Sequence, residues 1–362
     1  MKNYINLLKD IKENGVRKPS RAGDTLSVFG RQLRWNMEHG FPLMTIKKVS
    51  FHNIAHELLW FLGAFDEEWK KFGNTNIRYL VDHNVNIWNA DAYRGYVQEM
   101  QRGKHGNWIE QEEFIQKIKE DDDFALKWGE LGDGIYGGNW KYWDGESTLG
   151  RDINFNITRR LKKCKVNQIH KVIDQIKSNP LSRRHLVTAW NPSTVDDATL
   201  PPCHYGFTLN CQPMSYDERF NYAEKLLGFD PYTTIISEDA LDSQGIPKYH
   251  LSLKWNQRSV DTPLGLPYNI ASYALLLHML AYMTNTVPKD LIGSLEDVHY
   301  YTNQQEAVDE LISREGSEPQ LPTIKLVNTG NIERIEDFRI DNFEINGYNP
   351  LSKVKAPLSV GL

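Results

Sequence analysis

The amino-acid sequence predicts an α+β fold, in which a large mixed sheet packs on helices within a single domain. Strand-like and helical segments are mixed along the chain without the regular strand–helix–strand alternation of a doubly wound sheet. The 362 residues permit one large domain or two, at about 150 residues per domain. No shift of composition and no linker rich in Pro, Gly or Ser divides the chain, so we expect one domain over residues 1–362.

The helices are predicted from apolar periodicity. Ile5, Leu8 and Ile11 recur at helical spacing, so the chain is expected to begin with a short amphipathic helix. Residues 51–63 carry an apolar stripe that predicts a second helix. Residues 268–284 are apolar nearly all the way round, which is typical of a buried central helix.

The strands are predicted from alternation and apolar runs. Residues 25–35 alternate well enough for strands around a bend at Gly30. Further strand-like stretches lie near the C-terminus and at 185–190, 204–210, 250–256 and 322–328. Three charged or turn-rich segments with weak periodicity are interpreted as surface insertions: 64–73, 95–130 and 212–247.

Composition limits the classes of partner. The formal net charge is −5, and no basic tail or stripe supplies the electropositive footprint that a nucleic-acid-binding protein needs. A small anionic ligand requires only a local cluster of arginines. The first fifteen residues are too charged for a signal peptide, and no apolar run approaches the roughly 20 residues of a membrane span. We therefore expect a cytoplasmic protein without membrane or bulk nucleic-acid partners.

The three cysteines argue against a disulfide or metal scaffold and leave Cys203 as a candidate nucleophile. Cys164, Cys203 and Cys211 form no CxxC pair and no Cys/His metal spacing. Cys203 follows two prolines in LPPCHYGF, and proline restricts both its own backbone and that of its predecessor. The thiol should therefore be held in a defined position. Taken alone, such a cysteine is more often a small core residue, and its neighbour His204 is more often structural.

Four arginines strengthen the interpretation of Cys203. Arg21 lies in SRAGDTL, Arg183 and Arg184 lie in SRRHLV, and Arg258 lies in NQRSVD. If they converge, their guanidinium groups form a site for a phosphate dianion. Nearby positive charge would also lower the pKa of the thiol from its usual value of about 8.5.

Seven sequence blocks together resemble the thymidylate synthase family, in the family's order. They are HELLWFL, NTNIRYL, SRRHLVTAWNP, LPPCH, NQRSVDTPLGLPYNIASYALLLHML, DVHYYTN and GYNP…KAP, and the resemblance spans about residues 21 to 360. The resemblance implies a single α+β domain whose large sheet packs face to face with that of a second subunit. A homodimer that binds dUMP and a folate is therefore expected.

The resemblance assigns substrate-binding roles residue by residue. Phosphate ligands of the home subunit are Arg21, Arg258 and Ser259, and Arg183 and Arg184 complete the phosphate site of the partner. Binding of the deoxyribose hydroxyl is assigned to His299 and Tyr301. Asn269 matches the amide that reads the pyrimidine edge, which favours uracil over cytosine, although an Asn here could also cap the following helix. Gln257 and Asp261 are assigned to the same substrate site.

The resemblance also implies the chemistry. Addition of the Cys203 thiolate to C6 makes C5 of the uracil nucleophilic, and C5 then attacks 5,10-methylenetetrahydrofolate. Glu57 and Tyr136 match residues that order water and manage protons, and the apolar helix around Glu57 fits a raised pKa. Arg258, Asp261 and Asn269 are counted with the catalytic residues. Taken alone, Glu57 would be read as an ion-pair residue.

On the folate side the resemblance is looser. Trp88 matches the indole packed against folate, although a lone indole in VNIW is more often core. Asp261 matches the residue that contacts the pterin. Lys47 matches a basic position near the glutamate tail of the folate. Gly265 and Tyr268 are also assigned to folate binding. Deviations from the family pattern are Thr262-Pro263, Gly138-Asn139, Tyr268, Glu296 and the C-terminal Gly361-Leu362.

These deviations leave the last step open. Hydride transfer from the folate would give thymidylate, whereas water attacking the same carbon would give 5-hydroxymethyl-dUMP, and the outcome depends on water exclusion. We expect a thymidylate synthase, with a dUMP hydroxymethylase as the alternative. A catalytically dead nucleotide- or RNA-binding relative would have lost the nucleophile or phosphate ligands, and all are present. A cysteine hydrolase would need a base beside Cys203, but His204 should point to the opposite face of a strand.

Overall fold

A computed structural model describes residues 1–104, 106–147, 150–151, 157–158, 162–229 and 236–358. The chain groups into two compact units. The first unit comprises Met1–Ala55, Ile173–Leu186 and Cys203–Leu362, and the second comprises His56–Val172 and Val187–Pro202. The extension Gly361-Leu362, which the sequence singled out, lies outside the described residues.

The described residues contain thirteen α-helices and twelve strands. The helices are α1 (Lys2–Asn14), α2 (Phe51–Leu62), α3 (Glu67–Lys70), α4 (Arg78–Asp82), α5 (Asn89–Arg102), α6 (Gln111–Glu120), α7 (Asp122–Trp128), α8 (Tyr136–Tyr142), α9 (Gln168–Ser178), α10 (Tyr216–Leu227), α11 (Glu238–Ser243), α12 (Gly265–Thr284) and α13 (Gln305–Ser313). The strands are β1 (Val16–Lys18), β2 (Thr25–Asn36), β3 (Trp143–Ser147), β4 (Gly150–Arg151), β5 (Ile157–Thr158), β6 (Lys162–Val166), β7 (Leu186–Thr188), β8 (His204–Pro213), β9 (Tyr249–Asp261), β10 (Val287–Tyr301), β11 (Thr323–Leu326) and β12 (Phe343–Asn346). No helix among the described residues is long and apolar enough to span a membrane.

The first unit is organised by a six-stranded sheet in the order β1-β2-β10-β9-β8-β7. Strands β9 and β10 are parallel, whereas β2 pairs antiparallel with β10 and β8 with β9. Parallel neighbours need a crossover connection, and helix α12 supplies it, packing against both strands. The large mixed sheet that the sequence predicted is thus present. The smaller pair β11 and β12 is antiparallel.

The core of the first unit lies between this sheet and α12. Most side chains of α12 are buried around its whole circumference, as its continuous apolar sequence predicts. The Trp255 ring on β9 stacks on Tyr273 of α12 at 5.4 Å and on Trp35 of β2 at 6.2 Å. Gly293 lies opposite Trp255 in the β9–β10 register. A Cβ atom at that glycine would lie 2.5 Å from the Trp255 ring, so the stacked indole requires glycine there.

The second unit is mainly helical. Its aromatic core contains Trp60 and Phe61 from α2 and Trp140 from α8, all about 1% exposed or less. A second aromatic group packs α5, α6 and α7 together, with the Tyr96 ring 5.0 Å from Phe114 and 5.1 Å from Trp128. Segment 95–130, interpreted as an insertion, is therefore mostly three short helices with a packed interior.

The predicted elements are confirmed in part. Helices α1, α2 and α12 form where the periodicity places them, and residues 25–35 form one strand, β2, that continues through Gly30 at a positive φ of 72°. The strand predicted at 185–190 is only the three residues of β7. The longest strand, β10, was not predicted, although its buried Leu291, Gly293 and Leu295 alternate with less buried neighbours.

Gly293→Ala should destabilise the first unit, because the new methyl group would overlap the Trp255 ring. Overpacking of this kind costs about 1–3 kcal/mol, which urea unfolding followed by tryptophan fluorescence would measure. Gly330→Ala is the matched control, since a Cβ atom there has no neighbour within 4 Å. Equal stability of the two variants would contradict the account of the stacked indole.

Candidate active site

Cys203 directly precedes β8 and is half-buried. Its carbonyl oxygen accepts a hydrogen bond of 2.8 Å from the backbone N–H of Arg258 on β9. The register of β8 and β9 shifts between His204 and Gly206, which marks a local irregularity just after the cysteine. The pairing therefore fixes the backbone of Cys203 against that of Arg258, the two residues that the sequence proposed as nucleophile and phosphate ligand.

His204 cannot serve as a base for the Cys203 thiol in the manner of a hydrolase. Its ring is buried, with Nδ1 2.8 Å from the Tyr273 hydroxyl. Burial lowers the pKa of His204 to about 3, so the ring is too weak a base to take the proton of a thiol. Its contacts give it a structural role in the core beside α12.

Tyr301, at the end of β10, lies among several of the predicted site residues. Its ring meets that of His299 edge-on at 5.5 Å. Burial raises the pKa of Tyr301, and negative charge at Asp261 and Cys203 raises it further, whereas a hydrogen bond with Ser20 and the charge of Arg21 oppose the shift. Electrostatic influence of this kind falls off with distance, so these groups belong to one neighbourhood of the first unit.

Asn269 is oriented by Gln257 and does not cap its helix. Helix α12 begins at Gly265, so Asn269 is its fifth residue and the capping interpretation is wrong. Gln257 is almost fully buried, and its Nε2 donates to Asn269 Oδ1 at 3.0 Å. The Asn269 amide nitrogen has no hydrogen-bond partner among the described residues, which leaves a donor available to a ligand.

Asp261 ends β9 and begins the turn into α12. Its carboxylate accepts a hydrogen bond from the Leu264 N–H at 3.1 Å, and it pairs with His299 in the β9–β10 register. Burial is the main cause of its raised pKa, opposed by Leu264, His299, Gln304 and Lys47. An added Cβ at Gly265 would lie only 3.8 Å from the Asp261 Cβ, so the two predicted folate-side residues are neighbours.

Lys47 is buried rather than displayed to solvent. Its side chain donates a hydrogen bond to the Pro263 carbonyl, and burial lowers its pKa to about 8, with Asp261 opposing the shift. The neighbouring Lys48 is the exposed lysine of this segment. Lys47 therefore supports the Asp261–Leu264 turn, a contact that the sequence did not predict.

Thr262, one of the deviations from the family pattern, is fully buried in the same turn. Its Oγ1 donates to the His299 carbonyl at 2.8 Å, and its own carbonyl accepts from the Tyr4 hydroxyl at 2.8 Å. Another deviation, Glu296, accepts a hydrogen bond of 2.6 Å from Tyr205. Each of these two polar substitutions thus has a partner in the first unit.

In the second unit, Glu57 lies in an aromatic pocket. It is 7% exposed, and the Trp88 Nε1–H donates to its carboxylate at 2.8 Å. Burial raises the pKa of Glu57 to about 7, against the smaller opposing effect of the Trp88 hydrogen bond. The Trp88 ring meets Trp60 at 5.6 Å and Tyr136 at 6.2 Å. Glu57 is therefore a carboxyl group that can hold or release a proton near neutral pH.

Tyr136 begins α8 and is positioned by the residues that follow it. Asn139 donates to the Gly134 and Ala189 carbonyls, each at 2.9 Å. A Cβ atom at Gly138 would lie 2.5 Å from the Asp133 carbonyl oxygen. Gly138 and Asn139 depart from the family pattern, but both stabilise the backbone at the start of α8.

Arg183 and Arg184 are exposed in the first unit, between α9 and β7. Neither side chain forms an ion pair with a residue that the structure describes. Arg21 is exposed, and Ser259 and Tyr268 are half-buried. Among the described residues, no three His, Cys, Asp or Glu side chains are grouped so as to hold a metal ion.

Three residues of this neighbourhood were missed by sequence analysis: Tyr4, Ser20 and Gln304. Tyr4 and Ser20 contact Thr262 and Tyr301, respectively. Gln304 is fully buried and interacts with Asp261. The nearness in sequence of Ser20 to Arg21 and of Gln304 to Tyr301 could have indicated these two residues, whereas no sequence signal indicates Tyr4.

Comparison with known proteins identifies a single family. A family model described as thymidylate synthase matches residues 2–360. The chain is 37% identical over 366 residues to the thymidylate synthase of Malacoplasma penetrans, with 99% of this chain and 100% of the relative covered. The thymidylate synthases of Listeria monocytogenes and Listeria innocua are each 36% identical over 378 residues, with the same coverage.

Replacing Glu57 should change how stability depends on pH. The pKa of this carboxyl is about 7 in the folded protein against an ordinary value of 4.5. The unfolded chain therefore loses this proton first as the pH rises, and the contribution to stability falls between about pH 4.5 and 7. At 1.36 kcal/mol per pKa unit, the change is on the order of 3 kcal/mol.

Glu57→Gln is neutral at every pH and should lack this dependence. Urea unfolding at pH 5 and pH 8 should show the variant gaining stability relative to the wild type at the higher pH. Glu68→Gln, on the exposed surface of α3, is the control. Parallel pH dependence of Glu57→Gln and wild type would show that Glu57 is not a protonated buried carboxyl.

Proposed function

The chain belongs to the thymidylate synthase family of methyltransferases, and on that premise we propose that it converts dUMP to dTMP with 5,10-methylenetetrahydrofolate. The folate would donate both the one-carbon unit and the hydride, and would leave as dihydrofolate. The observation that carries the proposal is the hydrogen bond between the Arg258 N–H and the Cys203 carbonyl. It supports a nucleophile and a phosphate ligand acting on one bound nucleotide.

Recognition of the nucleotide phosphate is assigned to Arg21, Arg258 and Ser259. Arg183 and Arg184 of a second copy of the chain would complete this site, and their exposure in the first unit suits contact with another subunit. Guanidinium groups match phosphate oxygens in geometry as well as charge. The deoxyribose hydroxyl would be held by His299 and Tyr301.

Recognition of uracil is assigned to Asn269. Because Gln257 donates to Asn269 Oδ1, the amide is held with its nitrogen as the available donor. Uracil presents a carbonyl at O4, which accepts such a hydrogen bond, whereas cytosine presents an amino group, which cannot. The Oδ1 atom has a second lone pair that can accept from N3–H. The amide orientation therefore favours dUMP over dCMP.

The reaction would begin with addition of the Cys203 thiolate to C6. This step pushes the electron pair of the C5–C6 double bond toward O4 and makes C5 nucleophilic. C5 would then bond to the methylene carbon as the bond from that carbon to one folate nitrogen breaks. Loss of the C5 proton to water ordered by Tyr136 would expel the second folate nitrogen and leave an exocyclic methylene on C5. Hydride from C6 of the tetrahydrofolate would reduce this methylene to the methyl group while the Cys203–C6 bond breaks, giving dTMP, dihydrofolate and free Cys203. Glu57, whose pKa is about 7, is suited to pass protons near O4 and the folate, because a catalytic pKa near the working pH is the most effective.

Folate binding is assigned to Trp88, Asp261, Gly265, Tyr268 and Lys47. Trp88 would supply the stacking surface, and its hydrogen bond to Glu57 fixes its ring. Asp261, with its raised pKa, offers an acceptor or a donor to the pterin. Lys47 acts by holding the Asp261–Leu264 turn through the Pro263 carbonyl.

The identity of the product tests the proposal. The protein incubated with dUMP and methylenetetrahydrofolate should give dTMP by mass and dihydrofolate by absorbance in equal amounts. Hydride transfer requires the reactive carbon to be shielded from water, so the product reports whether that shielding is present. The Cys203→Ser variant is the blank. A hydroxymethyl product with tetrahydrofolate retained would establish the hydroxymethylase alternative, and no turnover would refute both.

Asn269→Asp should move base preference from dUMP toward dCMP. A carboxylate would still accept from Gln257, but it would have lost the donor for O4 and gained an acceptor for the cytosine amino group. A buried polar mismatch can be worth a discrimination of 10⁴ or more, so we expect kcat/KM for dUMP relative to dCMP to fall by at least about 100-fold. Unchanged discrimination would remove Asn269 from base recognition.

A further inference from the structure

Segment 194–202, which directly precedes the proposed nucleophile, is packed against another loop of the second unit. The Thr199 N–H donates to the Leu131 carbonyl at 3.1 Å. A Cβ atom at Gly134 would lie 2.5 Å from the Thr194 carbonyl oxygen, so the two backbones approach closely and only glycine fits there. The segment is therefore held by backbone contacts along much of its length.

Arg94, on α5, holds the same segment from a different element. Its Nη2 donates to the Thr199 carbonyl at 3.1 Å and pairs with Asp91 Oδ1 at 2.6 Å. The side chains of Arg94 and Asp91 are only 9% and 14% exposed, so an ion pair within the helix fixes the guanidinium group away from bulk solvent. A hydrogen bond from a charged donor is stronger than one from a neutral donor. Arg94 is thus an anchored donor to one backbone carbonyl.

The next residue of α5, Gly95, packs directly against the Thr199 side chain. A Cβ atom at Gly95 would lie 3.3 Å from both the Cγ2 and the Oγ1 atoms of Thr199, which is closer than ordinary van der Waals contact. Two consecutive residues of the helix therefore contact Thr199, one through its carbonyl group and one through its side chain.

The chain between Thr199 and Cys203 is stiff. Pro201 and Pro202 each have a fixed φ, and a residue that precedes a proline is restricted to extended conformations. Leu200 precedes the first proline, so all three intervening residues have little freedom to absorb a displacement. A shift of Thr199 is therefore passed on to Cys203.

We propose that Arg94, held by Asp91, is a positioning residue that fixes segment 194–202 and, through it, the Cys203 thiol. The inference rests on the proposed function, in which that thiol adds to C6 of the pyrimidine. Reacting atoms must be held about 3–3.5 Å apart, and a misplacement of about 1 Å can lower the rate about 100-fold. The constraint acts on the thiol and not on the phosphate ligands, so the rate should change more than the affinity for the nucleotide.

A double variant removes the donor to Thr199 without leaving an unpaired carboxylate. In Asp91→Asn/Arg94→Met both charges of the pair are lost together. Glu99→Gln/Arg102→Met is the matched control, because Glu99 and Arg102 form the same i,i+3 pair further along α5 with side chains that are 55% and 75% exposed.

Opening of the segment can be measured without any substrate. The Thr199 N–H is protected by its hydrogen bond to the Leu131 carbonyl, and its exchange with solvent deuterium follows the population of the locally open form. Exchange of the peptide that contains Thr199, followed by mass, should be about tenfold faster in the double variant and unchanged in the control variant. Exchange as slow as in the wild type would overturn the proposal whatever reaction the protein catalyses.

Kinetics test the link to the nucleophile. In the double variant kcat should fall at least about tenfold, while KM for dUMP stays within about twofold of the wild type. Unchanged kcat, or a rise in KM as large as the fall in kcat, would overturn the positioning role. Absence of turnover in the wild type would instead refute the proposed function, and the exchange result would still decide whether Arg94 holds the segment.

Gly95→Ala tests the same constraint with Arg94 intact. Alanine is a better helix former than glycine, so the midpoint of urea unfolding should not fall. The added methyl group would nevertheless push against Thr199, and we expect kcat to fall about threefold. Thr199→Ala removes the two opposed atoms but keeps the carbonyl group, so Gly95→Ala/Thr199→Ala should recover the wild-type kcat. Wild-type kcat in Gly95→Ala, or no recovery in the double variant, would contradict transmission through Thr199.

Discussion

The candidate site depends on the position of β9 between β8 and β10. Its antiparallel pairing with β8 ends in the hydrogen bond from the Arg258 N–H to the Cys203 carbonyl, and its parallel pairing with β10 brings Asp261 beside His299. Because side chains alternate between the faces of a strand, Gln257 enters the core and meets Asn269 while Arg258 faces the other way. One strand thus positions Cys203, Asn269 and His299, which lie on three other elements, from a single register.

A second constraint is that several ionisable groups are buried with few opposite charges near them. Burial raises the pKa values of Glu57 and Asp261 and lowers those of His204 and Lys47. Burial disfavours whichever form carries charge, so each group is shifted toward neutrality. His204 is thereby fixed as a neutral core residue. The pKa values of Glu57 and Lys47 instead lie near physiological pH. For Glu57 this suits proton transfer. For Lys47 it means that burying the lysine that holds the turn costs little free energy.

Much of the fold could be predicted from the sequence, and the nucleotide-binding roles of the site residues stay predictions. The periodicity of α1, α2 and α12 reflects real burial, and Cys203 directly precedes strand β8, as LPPCHYGF predicted. Strand β10 was not predicted because alternation holds only over residues 291–296, between half-buried residues 287–290 and buried residues 298–300. The register that pairs Gly293 with Trp255 is set across the α12 crossover, and no local pattern encodes it.

The interactions that orient the site were the least predictable. A buried lysine and a buried glutamine look, in sequence, like surface residues, because long polar side chains are mostly exposed. Lys47 and Gln304 are buried only because the Pro263 and Pro357 carbonyls, brought near by distant segments, satisfy their donors. Asn269 looked like a helix cap because the start of α12 could not be placed to within a turn.

Trapping a bond between the Cys203 sulfur and C6 of the pyrimidine would establish Cys203 as the nucleophile. With 5-fluoro-dUMP and methylenetetrahydrofolate, the fluorine cannot leave C5 as a proton does, so the adduct should persist through denaturation. Peptide mass mapping should place the nucleotide on Cys203, and equally so in Cys211→Ser, whose altered cysteine is buried on β8. No adduct in the wild type, or one that survives in Cys203→Ser, would contradict the account.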